Sequence, residues 1–294
     1  MLPAILNLDL SVRPSPEEVA AELPHLPSSP NVLPRLSALV QQENVSLQEL
    51  SSLLRLDPGL LARVLQLGNK LAGANALHCL TVEDAINLIG FDRIAALVSQ
   101  VAKAQIFARP VSLYGLDAED WWRWSVSCAL AAELLAEHTG EDTSVAYTVG
   151  LMHSAGIVAI DEWALHKAPS LIFMPRGVLC EFIESERALL GYTQADVGAA
   201  LLRQWGFPAI MVEPLRWQYA PHGSAGYSRM ACLLNAAKWL RTVVCTEDEL
   251  RPPPLPDAVV LQPLRITPER LVRYVVELRI RLGEVRNQVE AVAA

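Results

Sequence analysis

The chain has 294 residues, of which 52% are hydrophobic, 19% charged and only 6% aromatic, and its formal net charge is −8. A chain of this length and apolarity can bury a large core, while its acidic balance excludes a general attraction to nucleic acid or to anionic membranes. Abundant Leu, Ala and Val favour helices. The five cysteines, Cys79, Cys128, Cys180, Cys232 and Cys245, form no Cys-x-x-Cys pair and sit among apolar neighbours, so they read as reduced, packed thiols. The stretch Met1 to Asp9 has no basic region ahead of an apolar core, so no secretory signal is read there and a cytoplasmic location is expected.

Ser15-Pro16-Glu17-Glu18 supplies a cap, a proline for the first helical position and acids for the first turn, predicting a short helix. Pro24, Pro27, Pro30 and Pro34 punctuate the approach to a second helix over about 30–42. Ser46-Leu47-Gln48-Glu49 is a capping box that opens a helix over 47–56, and Asp57-Pro58 opens the next, over 58–70. Thr81-Val82-Glu83-Asp84 repeats the device before a helix that Gly90 stops. A strongly apolar helix is expected over 92–108, ended by Arg109-Pro110. Nothing in this third of the chain alternates with a strand period.

A long helix follows within 120–135 and carries Trp121, Trp122 and Trp124. The run Val145 to Ile160 is uncharged and long enough to consider as a membrane span. Thr143, Ser144, Thr148, Gly150, His153, Ser154 and Gly156 make it too polar for one, and a single buried central helix is the reading. Further helices are expected over 178–190, 194–205, 208–219 and 227–243. Pro252 to Pro256 reads as a stiff, extended linker. Beyond it, Leu271, Val275, Leu278, Leu282, Val285, Val289 and Val292 form a heptad seam on a helix over 267–292. Val272, Val276 and Ile280 widen its apolar face, which suits docking on the chain's own body better than a dimeric coiled coil. The six arginines and three glutamates of 263–286 make a solvated face and no nucleic-acid stripe.

Asp57-Pro58-Gly59-Leu60 leading to Val64-Leu65-Gln66-Leu67-Gly68-Asn69, then Val82 to Gly90, resembles the signature of the HDOD domain family. Trp122-Arg123-Trp124-Ser125 with Ala129, Val149 to Gly156, Asp196-Val197-Gly198 and Leu201 to Pro208 continue the likeness in order, over roughly residues 20–245. The resemblance implies an all-α, multi-helix bundle related to the metal-dependent HD phosphohydrolases and found in bacterial signalling proteins. In those enzymes His and Asp ligands on several helices hold divalent metal that activates water. Here the positions depart one by one. Trp124 stands where an earlier histidine would fall, and an indole N–H can only donate. Ser154 replaces the Asp after His153, Lys238 the late Asp, and Gln218-Tyr219 a pair of histidines.

One candidate ligand, His153, survives, and a lone histidine does not hold a catalytic metal. The expectation is therefore no metal, no cofactor and no catalytic residue, with His153 a core histidine bonded to a backbone carbonyl or a serine. A second possibility keeps Trp124, His153, Ser154 and Lys238 as the lining of a remnant pocket for a small anion or nucleotide, Lys238 supplying the missing metal charge. No Gly-x-Ser-x-Gly elbow and no phosphate-binding Gly-Lys-Ser/Thr loop is present. The expected organisation is an N-terminal helical unit over 1–112, a degenerate HD-like unit over 113–250, and a Pro-rich linker and amphipathic helix over 251–294. The expected function is a non-catalytic regulatory module of response-regulator type, working through protein partners and not through nucleic acid or membrane. It could form a homodimer through the 267–292 helix; residual phosphohydrolase activity is the remaining alternative.

Overall fold

The computed structural model describes residues 13–72, 78–104, 109–171, 173, 182–246 and 253–290, and among them every regular element is helical. In the N-terminal third these are α1 (Pro16–Ala21), α2 (Leu33–Leu39), α3 (Leu47–Arg55), α4 (Pro58–Ala72), α5 (Val82–Ile89) and α6 (Phe91–Ala104). Side-chain caps set their starts. Ser15 and Glu18 close α1 reciprocally, Thr81 and Asp84 do the same for α5, and Ser46 Oγ accepts from Glu49 N–H at α3. The Asp57 carboxylate does more than cap α4. Its Oδ1 accepts from Leu60 N–H at 2.9 Å and its Oδ2 from Ser29 N–H at 3.0 Å, so it ties α4 to the loop before α2. This carboxyl has no exposed surface, and burial pushes its pKa up to about 7 against the pull of those donors. Gly59 explains the close approach: a methyl there would overlap the Pro27 carbonyl oxygen.

The following helices are α7 (Ala118–Thr139), α8 (Thr143–Met152), α9 (Ala155–Lys167), α10 (Ile183–Leu189), α11 (Gln194–Gln204), α12 (Ala209–Arg216) and α13 (Ser228–Cys245). The α7 to α8 turn uses Gly140 at φ 74 as a left-handed stop, and Asp142 Oδ1 then accepts from Val145 N–H at 2.9 Å to start α8. Gly150 lets the two helices press together, since a Cβ at that position would meet Cys128 O at 2.7 Å.

The run 145–160 is not the single helix expected from its apolarity. It breaks at His153-Ser154 into α8 and α9. The reason is local: His153 Nδ1 lies 2.7 Å from Gly150 O and takes over the carbonyl with which the helix ladder would continue. Beyond the break, α9 crosses α11 so closely that a methyl on Gly156 would overlap the Gln194 carbonyl oxygen. The stretch Thr143–Lys167 is long and apolar enough to cross a membrane, but 89% of its most apolar window is buried within the protein.

The remaining helices are α14 (Ala258–Leu264) and α15 (Pro268–Glu290). The linker is extended over 253–257, with Trp239 Nε1 donating to Pro253 O at 3.2 Å, but α14 was not foreseen. Its seven residues carry an internal Pro263, too short and too interrupted for periodicity to register. On α15 the seam residues Leu271, Val275 and Leu278 are buried, and the helix packs on α7 and α13. Arg281 clamps Glu137 of α7 through both carboxylate oxygens, at 2.9 and 2.7 Å. Val272, Val276 and Ile280 do not widen the buried face; they form a separate outer stripe, 50%, 63% and 59% exposed. Val292, Cys180 and the predicted helical residues 105–108 and 178–181 lie outside the described residues.

Gly156→Ala should destabilise the protein by roughly 3 kcal/mol in urea denaturation, because neither backbone at the α9/α11 crossing can retreat. Gly140→Ala, where space is open and only the left-handed φ is strained, should cost about 1 kcal/mol.

Candidate functional site

Four segments meet where the HD-type ligands would stand. α7 contributes Trp124 and Ser125, the α8/α9 break contributes His153 and Ser154, the turn after α12 contributes Gln218 and Tyr219, and α13 contributes Lys238. The structure adds a residue that the sequence reading missed, Arg241, one helical turn beyond Lys238 and 3% exposed. The available signal was this spacing on a helix whose neighbouring positions are apolar. A basic residue three positions after another shares its face.

Arg241 organises the centre. One of its amino groups lies 2.9 Å from His153 Nε2 and another donates to Thr242 Oγ1 at 3.0 Å, while its carbon lies 4.4 Å from the Trp124 ring centroid. The bonding fixes the imidazole tautomer by inference from the network. Nδ1–H donates to Gly150 O, leaving the Nε2 lone pair to accept from Arg241. His153 is therefore neutral, and burial, then the charges of Arg241 and Lys238, hold its pKa well below 6.5.

The four predicted residues are brought near one another but do not share one contact set. Trp124 and His153 meet through Arg241. Ser154 Oγ instead lies 3.3 Å from Ser125 Oγ. The Lys238 ammonium lies 3.5 Å from the Tyr219 ring centroid. Gln218 Nε2 donates to His153 O at 3.0 Å, and Gln194 Nε2 donates to the Tyr219 hydroxyl at 2.8 Å, so the pair replacing two histidines braces the site. Cavities of about 530 and 670 Å³ on the surface are lined by other residues.

These residues do not fit the divalent metal of HD hydrolases. Two cationic side chains occupy the centre, and a guanidinium bonds the imidazole nitrogen that a metal would take. Among the described residues no group of three or more His, Cys, Asp or Glu could hold a metal ion. The buried carboxylates elsewhere have structural partners. Asp161 pairs with Arg109 and accepts from Leu113 N–H, and Glu186 accepts from Tyr114 and from Gln194 N–H.

Two buried groups should give opposite pH dependences. Below pH 6.5 the unfolded chain protonates His153 but the folded chain does not, so this residue removes stability as pH falls. Between its unfolded value of 3.8 and its folded value of about 7, Asp57 is protonated only in the folded chain and adds stability as pH falls. From pH 6.5 to 5, stability of the wild type relative to His153→Gln should decline by up to about 1.4 kcal/mol per pH unit. Relative to Asp57→Asn it should rise over the same interval, by urea denaturation at each pH. A pH-independent difference for either pair would show that the group is not desolvated as described.

Residues 26–221 match the HDOD domain. Among solved structures, the MmoQ response regulator from Methylococcus capsulatus str. Bath is similar with a TM-score of 0.67 and 21% identity, over 85% of this chain and 98% of that one. A virulence factor from Campylobacter jejuni subsp. jejuni has a TM-score of 0.61 and 20% identity, over 76% of this chain and 80% of that one. At such identities the likeness is one of fold. Among curated proteins none matches the sequence. With the family match running through the Asp57 cap, the α8/α9 break and the turn at Gln218, the chain belongs to the HDOD domain family.

Proposed function

We propose that this chain is a non-catalytic signalling module that acts through protein contacts. The observation that carries the reading is the Arg241 guanidinium on His153 Nε2, which fills the place of a catalytic metal with a fixed positive charge. Water activation at that centre needs an electrophile with an open coordination position, and a guanidinium offers only N–H donors. The fold likeness to a response regulator supports a place in bacterial signalling. A remnant anion pocket at the same centre has less support, because Lys238 and Arg241 already lie against the Tyr219 and Trp124 rings.

The contact face assigned to this function is the outer side of α15. Leu271, Val275 and Leu278 are used up by the chain's own core, so a coiled coil through that seam would require α15 to undock. Val272, Val276 and Ile280 recur every four residues on the opposite side and suit pairing with a second copy.

After dialysis against Mn²⁺, Fe²⁺ or Zn²⁺, the protein should hold far less than stoichiometric metal by elemental analysis and should not hydrolyse bis(p-nitrophenyl) phosphate. Stoichiometric metal with turnover would overturn the non-catalytic reading. In sedimentation equilibrium, Val276→Asp combined with Ile280→Asp should weaken self-association by about 100-fold, the effect of losing roughly 2.7 kcal/mol. Thermal stability should stay within about 0.5 kcal/mol of wild type, as for other exposed substitutions.

A further inference from the structure

The groove of about 670 Å³ is lined by none of Trp124, His153, Ser154, Lys238 or Arg241, and four parts of the chain meet there. α2 supplies Arg35, α7 supplies Trp122, Arg123 and Val126, the end of α13 supplies Val244 and Cys245, and the last turns of α15 supply Arg286. The volume is that of a small-molecule site. Its character is unlike the rest of the surface. In a chain of net charge −8, three arginines line this groove against one lining carboxylate, Glu119.

Among the described residues, none of the three arginines has a buried ion-pair partner. Arg123 pairs with Asp120 at 2.7 Å on the same helix, and both side chains remain more than a third exposed, so the pair is weak. Arg35 donates to the Gln288 carbonyl, an uncharged partner. Like charges gathered in one concavity repel, and a bound anion relieves that repulsion. Guanidinium groups match phosphate in particular, through parallel N–H donors. The remaining wall is apolar. Trp122 is fixed by its Nε1 donating to Leu56 O at 2.7 Å, and its ring lines the groove together with Val126 and the α15 valines.

We propose that this groove binds a small organic phosphate with an aromatic or apolar body, a mononucleotide being the simplest case. The phosphate sits among Arg35, Arg123 and Arg286 and the body lies against Trp122. Such a ligand bridges the N-terminal helices to the end of α15. Those last turns are lightly held: Leu282, Val285 and Val289 are only partly buried and Arg286 is exposed. Ligand binding thereby sets how firmly α15 is fastened. This goes beyond the contact function above, which requires no small molecule.

The test is calorimetric titration of the full chain with AMP and GMP at low salt, with adenosine and inorganic phosphate as partial probes. Arg35→Gln and Arg286→Gln are the groove variants. Arg273→Gln, on the exposed side of α15, removes the same charge outside the groove. The expected result is saturable mononucleotide binding, weakened about tenfold by each groove variant, a loss of roughly 1.4 kcal/mol. Arg273→Gln should leave it unchanged, adenosine and phosphate should each bind more weakly than AMP, and amide exchange over 282–290 should slow on binding. Circular dichroism melting confirms that the variants fold. Absence of saturable binding at millimolar nucleotide would overturn the proposal, as would equal weakening by Arg273→Gln. Phosphate binding as tightly as AMP would overturn the assignment of the organic body to Trp122.

Discussion

A guanidinium buried at the centre of an apolar bundle is the constraint from which the contacts around His153 follow. Leaving Arg241 without acceptors there would cost several kcal/mol. It is held by a neutral imidazole nitrogen, by Thr242 Oγ1 and by the face of Trp124. That arrangement requires the Nε2 lone pair of His153, which in turn requires Nδ1–H to find another acceptor. The acceptor is Gly150 O, and its use by a side chain ends α8. One buried charge is thus linked, through a tautomer and a carbonyl, to the end of a helix.

The N-terminal helices are joined to α7 and α8 by bonds that also finish α3. Its last carbonyls have no partners within the helix. Tyr147 of α8 donates to Arg55 O at 2.8 Å and Trp122 Nε1 of α7 to Leu56 O at 2.7 Å. The Arg55 guanidinium lies 4.0 Å from the Tyr147 ring centroid and pairs with Glu133 of α7. The same residues therefore satisfy a helix end and hold α3 against α7 and α8. α1 is placed differently, against α9 and α11.

Much of this fold was legible because its helices begin with chemistry as well as periodicity. Ser15, Ser46 and Thr81 cap where their side chains require, and the apolar faces between caps have nowhere to go but inward. The division of 145–160 was not legible, because hydropathy records burial and not direction; only the competition of His153 for Gly150 O breaks the run. α14 escaped because a seven-residue helix has too few turns to show a period. At the site, Trp124, Ser154 and Lys238 depart visibly, position by position, from the ligand pattern that the resemblance implies. The gain of Arg241 could not, since its role depends on facing His153 across α13, a contact between residues 88 apart in the chain. The groove is harder still to read: Arg35, Arg123 and Arg286 come from helices distant in sequence, and nothing local joins them.

The α9/α11 crossing has a consequence for how such a protein can diverge. Gly156 and Gly198 meet there backbone to backbone, so the helices are gauged by peptide atoms that every residue carries. Gly156 cannot be exchanged without spreading the crossing, because a Cβ there would overlap the Gln194 carbonyl oxygen. Leucine, isoleucine and methionine can replace one another nearby as long as volume is kept. A bundle pinned in this way can turn over most of its core composition while its helix axes stay in place. Its architecture then outlasts its sequence.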